Sequence, residues 1–323
     1  MIDLKIKLPE NFLEEEMRCG YRVTSLIKKV WAVELDLYAE LDRVCKKYNI
    51  KFCADGGTLL GAIRHKGFIP WDDDLDIAML RDDYEKLCKV APKEFKSPYF
   101  FQTEQTDPGS ARGHAQLRNS RTTAILKSEI DELNKNTYNQ GIFIDIFPFD
   151  SVPENENEQR KLYDVIVKKN KKYHSIICNK NYFNYTFSKN AEGKIDIIMT
   201  IKRYLRHLEY LITKADYAIA YNEFEELCKK YNDYSETLMV ADFCIPVGLD
   251  RIQRYRKDFD NLVLADFEFL KIPVFKDYDR NLRNLYGDKY MKPQQVASEH
   301  NGVFFDPEKS YTYYKERYRN FIL

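Results

Sequence analysis

The 323-residue chain has no net charge, with 51 Lys plus Arg balancing 51 Asp plus Glu. A protein that coats nucleic acid needs a basic excess, so this balance argues against that role and leaves only local basic patches. No stretch approaches the roughly eighteen apolar residues of a spanning helix. The seven cysteines include no Cys-x-x-Cys pair, and their number is odd. The opening MIDLKIKLPENFLEEE is too charged for a signal peptide. Reduced thiols in a cytoplasmic protein are therefore expected. Internal repeats and low-complexity tracts are also missing. What remains is a globular balance, 44% hydrophobic and 32% charged, long enough for one large domain or two modest ones. Aromatics reach 14%, with 24 Tyr, a resource for binding sugars or cations or a bias of composition.

The most informative stretch runs from Ala54 to Met79, ADGGTLLGAIRHKGFIPWDDDLDIAM. Gly56, Gly57 and Thr58 make a turn, and an acidic cluster follows: Asp72, Asp73, Asp74 and Asp76. Asp74 and Asp76 alternate with Leu75 and Ile77. On a strand, that spacing puts both carboxylates on one face and the apolar pair on the other. Paired carboxylates repel unless a cation lies between them. Oxygen-only ligation suits Mg²⁺ or Mn²⁺, with substrate phosphates completing the shell. A strand, a Gly-Gly turn and a helix N-terminus form a phosphate cradle, because glycine amides can approach a ligand closely. Together these features point to phosphoryl or nucleotidyl transfer. Four acids in five positions cannot all ligate one ion, so Asp72 and Asp73 are expected to support their neighbours.

Along the chain, residues 12–48 read as helix, and IKFCADGG as a short strand. Residues 58–65 read as helix, DLDIAML as strand, and Asp82-Asp83 as the acidic opening of another helix. HAQLRNS, TTAIL and GIFIDIFPF (141–149) read as strands, the last one buried. From about Pro153 the sequence becomes charged and helical, and residues 153–240 are read as a helical insertion. Within it, residues 195–213 are amphipathic, with Ile197, Ile198, Ile201, Leu205, Leu208 and Ile212 on one side. A core-facing helix is the expected reading, and a membrane-surface helix the alternative. FEFLKIPV reads as a hairpin, and YDRNLRNLYG as a final helix capped by Gly287. The division expected is a core over 1–152, the insertion over 153–240, and a segment over 241–323 that returns to the core.

A third carboxylate is expected from a neighbouring strand. Asp145, between Ile144 and Ile146, is the candidate, since a charge in an apolar run is costly unless paired or metal-bound. The alternative is a strand-edge Asp that reaches water.

At these residues the sequence resembles the LicD family of phosphocholine transferases, which includes the fukutin-related transferases. GGTLLGAIRHKGFIPWDDDLDIAM, QLRNSRTT, GIFIDIFPFD and IPVFKDYDRNLRNLYGDKYMKP carry the likeness, spread from about residue 40 to residue 295. The resemblance implies an α/β (α+β) nucleotidyltransferase-like fold: a mixed sheet flanked by helices, with a helical insertion. It implies transfer of phosphocholine from CDP-choline to a hydroxyl of a teichoic-acid or lipopolysaccharide precursor, releasing CMP. Another CDP-alcohol (ethanolamine, ribitol or glycerol) or NTP-dependent nucleotidyl transfer is the alternative.

The family's metal carboxylates fall on Asp74 and Asp76, with Asp145 as the third and either a ligand or a proton acceptor. Its glycine turn falls on Gly56, Gly57 and Thr58. Arg64, Lys66 and Arg118 are candidate phosphate partners, with surface charge the alternative for the first two. Similar sequences place a lysine two positions before the basic residue at 118, whereas Gln116 stands here. Trp71 is expected to pack under the site, or else to face a quaternary ammonium. His65 is expected to be incidental, with an aid to proton transfer the alternative. The cysteine-based zinc site of the fukutin-related branch is not visible, so no zinc is expected. A lipid-linked acceptor would place the protein in the cytoplasm at the inner face of the membrane, as a peripheral visitor.

Overall fold

The computed structural model describes residues 2–126, 137–181, 195–232, 237–245, 247–294 and 302–322. Two short antiparallel strands, β1 (Glu16–Arg18) and β2 (Tyr21–Val23), lead into α1 (Ser25–Tyr48). Then come β3 (Cys53–Ala54), α2 (Gly56–His65), β4 (Asp76–Leu80) and α3 (Arg81–Glu94). The strands β5 (Tyr99–Gln102), β6 (Ala115–Asn119), β7 (Thr123–Leu126) and β8 (Ile142–Ser151) follow. Three helices come next, α4 (Glu156–Asn181), α5 (Ile197–Thr213) and α6 (Tyr217–Lys229). After them lie β9 (Met239–Ala241), one-turn α7 (Leu249–Ile252), β10 (Gln253–Tyr255), and a hairpin of β11 (Leu262–Phe267) and β12 (Leu270–Phe275). The described chain closes with α8 (Tyr278–Tyr286), β13 (Val303–Asp306) and α9 (Tyr311–Ile322).

The central sheet is mixed, in the order β10-β9-β8-β4-β3, and the fold is the α+β class expected. Among the described residues only β4 and β8 run parallel, with Asp76 opposite Asp145. β8 is the longest strand, and its other edge changes partner. Ile142 to Ile146 pair with β6, while Asp150 and Ser151 pair with β9. The three residues between those pairings, 147–149, face a gap in the ladder.

α1 is a core helix whose apolar residues reach round it: Val30, Trp31, Ala32, Val33, Leu35, Leu37 and Leu41 are all buried. Thr24 caps its start, its hydroxyl accepting from the Ile27 amide at 3.3 Å, and Asn49 closes it in the left-handed conformation. The helix begins at Ser25 rather than at residue 12, because 16–23 fold back as β1 and β2. α8 ends at Gly287 as expected but is not the last helix, since α9 follows it. The main core joins α1, α2, α3, the sheet and the β11–β12 hairpin. A second cluster gathers Leu162, Ile166 and Tyr173 of α4, Tyr221 and Phe224 of α6, and Ala241 of β9. α5 corrects an expectation. Its buried residues are Thr200 and His207, while Ile197, Ile198, Ile201 and Leu205 face outward.

Candidate active site

The site forms where β3, β4 and β8 meet the first turn of α2. The Asp55 amide donates to the Asp76 carbonyl at 3.2 Å, and the Asp145 amide to the Leu75 carbonyl at 2.9 Å. The Thr58 hydroxyl accepts from the Asp76 amide at 2.7 Å. Thr58 is buried, so it fixes the strand start as well as lining the turn. The apolar residues alternate as expected, with Leu75 and Ile77 fully buried and Asp74 and Asp76 only partly so.

The two glycines open α2 and leave room for carboxylates. A Cβ on Gly57 would lie 2.7 Å from Asp72 Oδ2, and one on Gly56 3.0 Å from Asp76 Oδ2. Gly56 also takes φ +54°, which favours a residue without Cβ. Asp72 therefore reaches the glycine turn itself, closer than its expected supporting place. The Trp31 indole holds the loop by donating to the Asp72 carbonyl at 3.0 Å.

The acids feel very different surroundings. Burial pushes the Asp76 carboxyl well above its ordinary range, and the charges of Asp74, Asp145, Asp72 and Asp55 push it further. Burial would raise Asp145 too. There the His114 imidazole, the Gln116 amide and Arg112 outweigh it and hold the group below its ordinary range. His114 Nε2 lies 2.9 Å from Asp145 Oδ1, and Gln116 Nε2 donates to the same oxygen at 2.6 Å. Asp145 is thus a partnered carboxylate inside the sheet, not an edge residue reaching water. Glu34 of α1 is buried with Oε2 unpartnered. Burial, then Asp74, Asp73, Asp72 and Asp145, push its carboxyl well up.

Four further groups at the site escaped the sequence reading. His114 and Asp242 enter at the gap beside β8, and the His114 ring lies 4.4 Å from that of Phe147. Burial, with the charge of Asp55 adding to it, pushes Asp242 up to about 6 against the opposing Cys244 amide and His114. Asp55 is held by Arg254 of β10, both carboxylate oxygens lying 2.9 Å from Nη2. The signals were faint: a histidine just before a strand, an aspartate just before the glycines, and an arginine in a short late strand.

Arg118 is 1% exposed and donates to Gln102 Oε1 at 2.5 Å, to the Gly141 carbonyl at 2.6 Å and to Gln116. It braces β6 from inside the core, and Gln116, one of its acceptors, donates in turn to Asp145. Arg64 and Lys66 sit at the far end of α2, about 10 Å or more along its axis from the glycines. Arg64 donates to the Tyr290 carbonyl at 2.6 Å and to His65 at 2.8 Å. Burial, Arg64 and Arg18 lower the His65 pKa to about 4, so its ring is neutral near pH 7. Trp71 is half-buried, edge-on to Tyr21 and His65 at 6.0 and 6.2 Å.

Among the described residues, no group of three or more His, Cys, Asp or Glu side chains is arranged to hold a metal ion as it stands. The donor chemistry nonetheless suits a hard divalent cation: every acid here offers carboxylate oxygen, and like charge accumulates on Asp76.

The mixed sheet, with in-register aspartates beside a glycine-opened helix, is an α+β arrangement of the nucleotidyltransferase-like kind. Residues 49–174 match the family described as LicD/FKTN/FKRP, nucleotidyltransferase domain. The chain is 29% identical over 262 residues to the lipopolysaccharide cholinephosphotransferase LicD of Haemophilus influenzae, covering 80% of this chain and 89% of that one. An uncharacterized protein of Rickettsia prowazekii is 38% identical over 81 residues, 25% of this chain and 29% of its own. One of Rickettsia typhi is 29% identical over 180 residues, 51% and 54% of the two chains.

Proposed function

We propose that the chain transfers phosphocholine from CDP-choline to a hydroxyl of a cell-surface glycan precursor of the lipopolysaccharide or teichoic-acid kind. The new bond joins the acceptor oxygen to the choline-bearing phosphorus. The bond from that phosphorus to CMP breaks, its electron pair leaves with CMP, and the acceptor proton passes to water. The observation that carries the reading is Asp76 beside Asp145 in register at the glycine-opened end of α2. It is supported by the likeness over 80% of the chain to an enzyme named for cholinephosphate transfer.

Asp74 and Asp76, with Asp145, would hold Mg²⁺ or Mn²⁺, which supplies neutralisation of charge on the phosphate oxygens. Asp145 is held ionised by His114 and Gln116, the state a cation ligand needs and a poor one for taking a proton. The Gly56-Gly57 amides at the α2 N-terminus would receive the pyrophosphate. Trp71 would face the trimethylammonium group from its half-open position beside Tyr21.

CMP release from CDP-choline with Mg²⁺, wild type against Asp74→Ala, tests this reading. Metal-dependent release lost in the variant is expected. Silence with CDP-choline but release from CDP-ethanolamine, CDP-ribitol or CDP-glycerol would change the alcohol. Pyrophosphate release from an NTP, with every CDP-alcohol silent, would replace the reading by nucleotidyl transfer.

A further inference from the structure

α5 has its polarity turned outward. Its buried residues are Thr200 and His207, and His207 Nδ1 donates to the Asn179 carbonyl of α4 at 2.7 Å. The apolar residues Ile197, Ile198, Ile201, Leu205, Leu208 and Ile212 are 67, 69, 54, 59, 52 and 81% exposed. At about 100° per residue, all six fall within an arc of about 100°. The chain therefore holds this helix through Thr200, His207 and Tyr210, the last packed against the second apolar cluster, and leaves its apolar stripe in water, which is unfavourable unless something covers the stripe.

We infer that this stripe lies in the surface of an anionic lipid bilayer. Charge favours that occupant. α5 carries Lys202, Arg203 and Arg206 against Glu209 alone, an excess of two positive charges in a chain whose net charge is zero. Lys202 and Arg206 are exposed and lie beyond the edge of the stripe away from the buried side. The stripe itself is aliphatic, without the Trp and Arg anchors that dominate protein interfaces. Apolar residues on one side and basic residues beside them are what a helix lying in the headgroup layer requires. Among the described residues no helix is long and apolar enough to cross a membrane, so contact through α5 would be with one leaflet. The inference deepens the proposed function, because it brings the catalytic chain to where a lipid-linked acceptor would be, yet its test needs neither donor nor acceptor.

The test is sedimentation of the full chain with vesicles of phosphatidylcholine alone or with about 30% phosphatidylglycerol. The expected result is binding at least about tenfold stronger to the anionic vesicles, weakened by salt. Ile201→Asp with Leu205→Asp should abolish it, and Lys202→Gln with Arg206→Gln should weaken it about tenfold. Both variants should keep the wild-type circular dichroism spectrum and CMP release from CDP-choline. No binding by the wild type at low salt would overturn the inference, as would binding that ignores both pairs of substitutions. A wild-type dimer that Ile201→Asp with Leu205→Asp turns into a monomer, without vesicle binding, would assign the stripe to a second copy instead. Loss of CMP release in the wild type, with vesicle binding intact, would fault the proposed reaction and leave this inference standing.

Discussion

Asp76 and Asp145 stand opposite each other on adjacent parallel strands, yet their carboxyls are held in opposite ways. His114 and Gln116 stabilise charge on Asp145, whereas burial and its acidic neighbours resist charge on Asp76. Asp76→Asn should therefore keep or raise the urea midpoint, while Asp145→Asn should lower stability by about 1–2 kcal/mol. Both should reduce CMP release by ~10²-fold or more if the pair acts on the phosphates. Urea unfolding and turnover on the same preparations separate the effects, and wild-type turnover in Asp76→Asn would remove that residue from the mechanism.

The two glycines should respond differently to a methyl group. Gly56→Ala meets a left-handed φ and the Asp76 carboxylate, so a loss of about 1–2 kcal/mol is expected. Gly57→Ala meets only the end of the Asp72 side chain, which can turn aside. Stability should then hold while KM for the CDP-linked donor rises. An unchanged KM in Gly57→Ala would show that the donor does not approach this turn.

Arg254 and Asp55 form a pair of which Arg254 is 2% and Asp55 13% exposed. Arg254→Leu strands the Asp55 charge and should cost about 3–5 kcal/mol. Adding Asp55→Asn should recover most of that. A double variant as unstable as the single one would mean that Arg254 acts through packing, for instance over Phe149 at 5.7 Å.

Asp242 gives a pH dependence of defined sign. Its folded pKa of about 6 lies above the ordinary 3.8, so the fold prefers the protonated carboxyl. The stability this contributes is fully present below pH 3.8 and is lost as the pH rises through 6. Asp55, His114 and the Cys244 amide are the groups that act on it. Relative to wild type, Asp242→Asn should gain up to about 3 kcal/mol between pH 4 and pH 7. Chemical unfolding at several pH values measures it, and parallel curves for the two proteins would contradict the assignment.

What the sequence disclosed followed periodicity. The alternation through Leu75, Asp76 and Ile77 and the apolar run around Asp145 placed two strands, the first beginning at Asp76 rather than at Asp74. Register between the strands was not legible, because hydrogen bonding between distant segments leaves no local trace. The partners of Arg118 were hidden for a related reason. Gln102 lies sixteen positions away and the Gly141 acceptor is a backbone carbonyl, so neither leaves a mark beside the arginine. The wheel of α5 gave the stripe but not its direction, since an amphipathic pattern does not say which side meets the protein. Asp55 and Arg254 are 199 positions apart and belong to no common pattern.

β8 can also be viewed mechanically. It is a stiff spar of ten residues, anchored at one end between β4 and β6 and tied at the other to β9, whose Ala241 sits in the second apolar cluster with α4 and α6. Asp145 and Ser151 are about 20 Å apart along it. Load applied to the helices therefore reaches Asp145 through unbroken backbone, while the gap at 147–149 lets the two halves of its far edge move separately. A tilt of the β9 footing would therefore be felt at Asp145, although the helices themselves lie far from it along the strand.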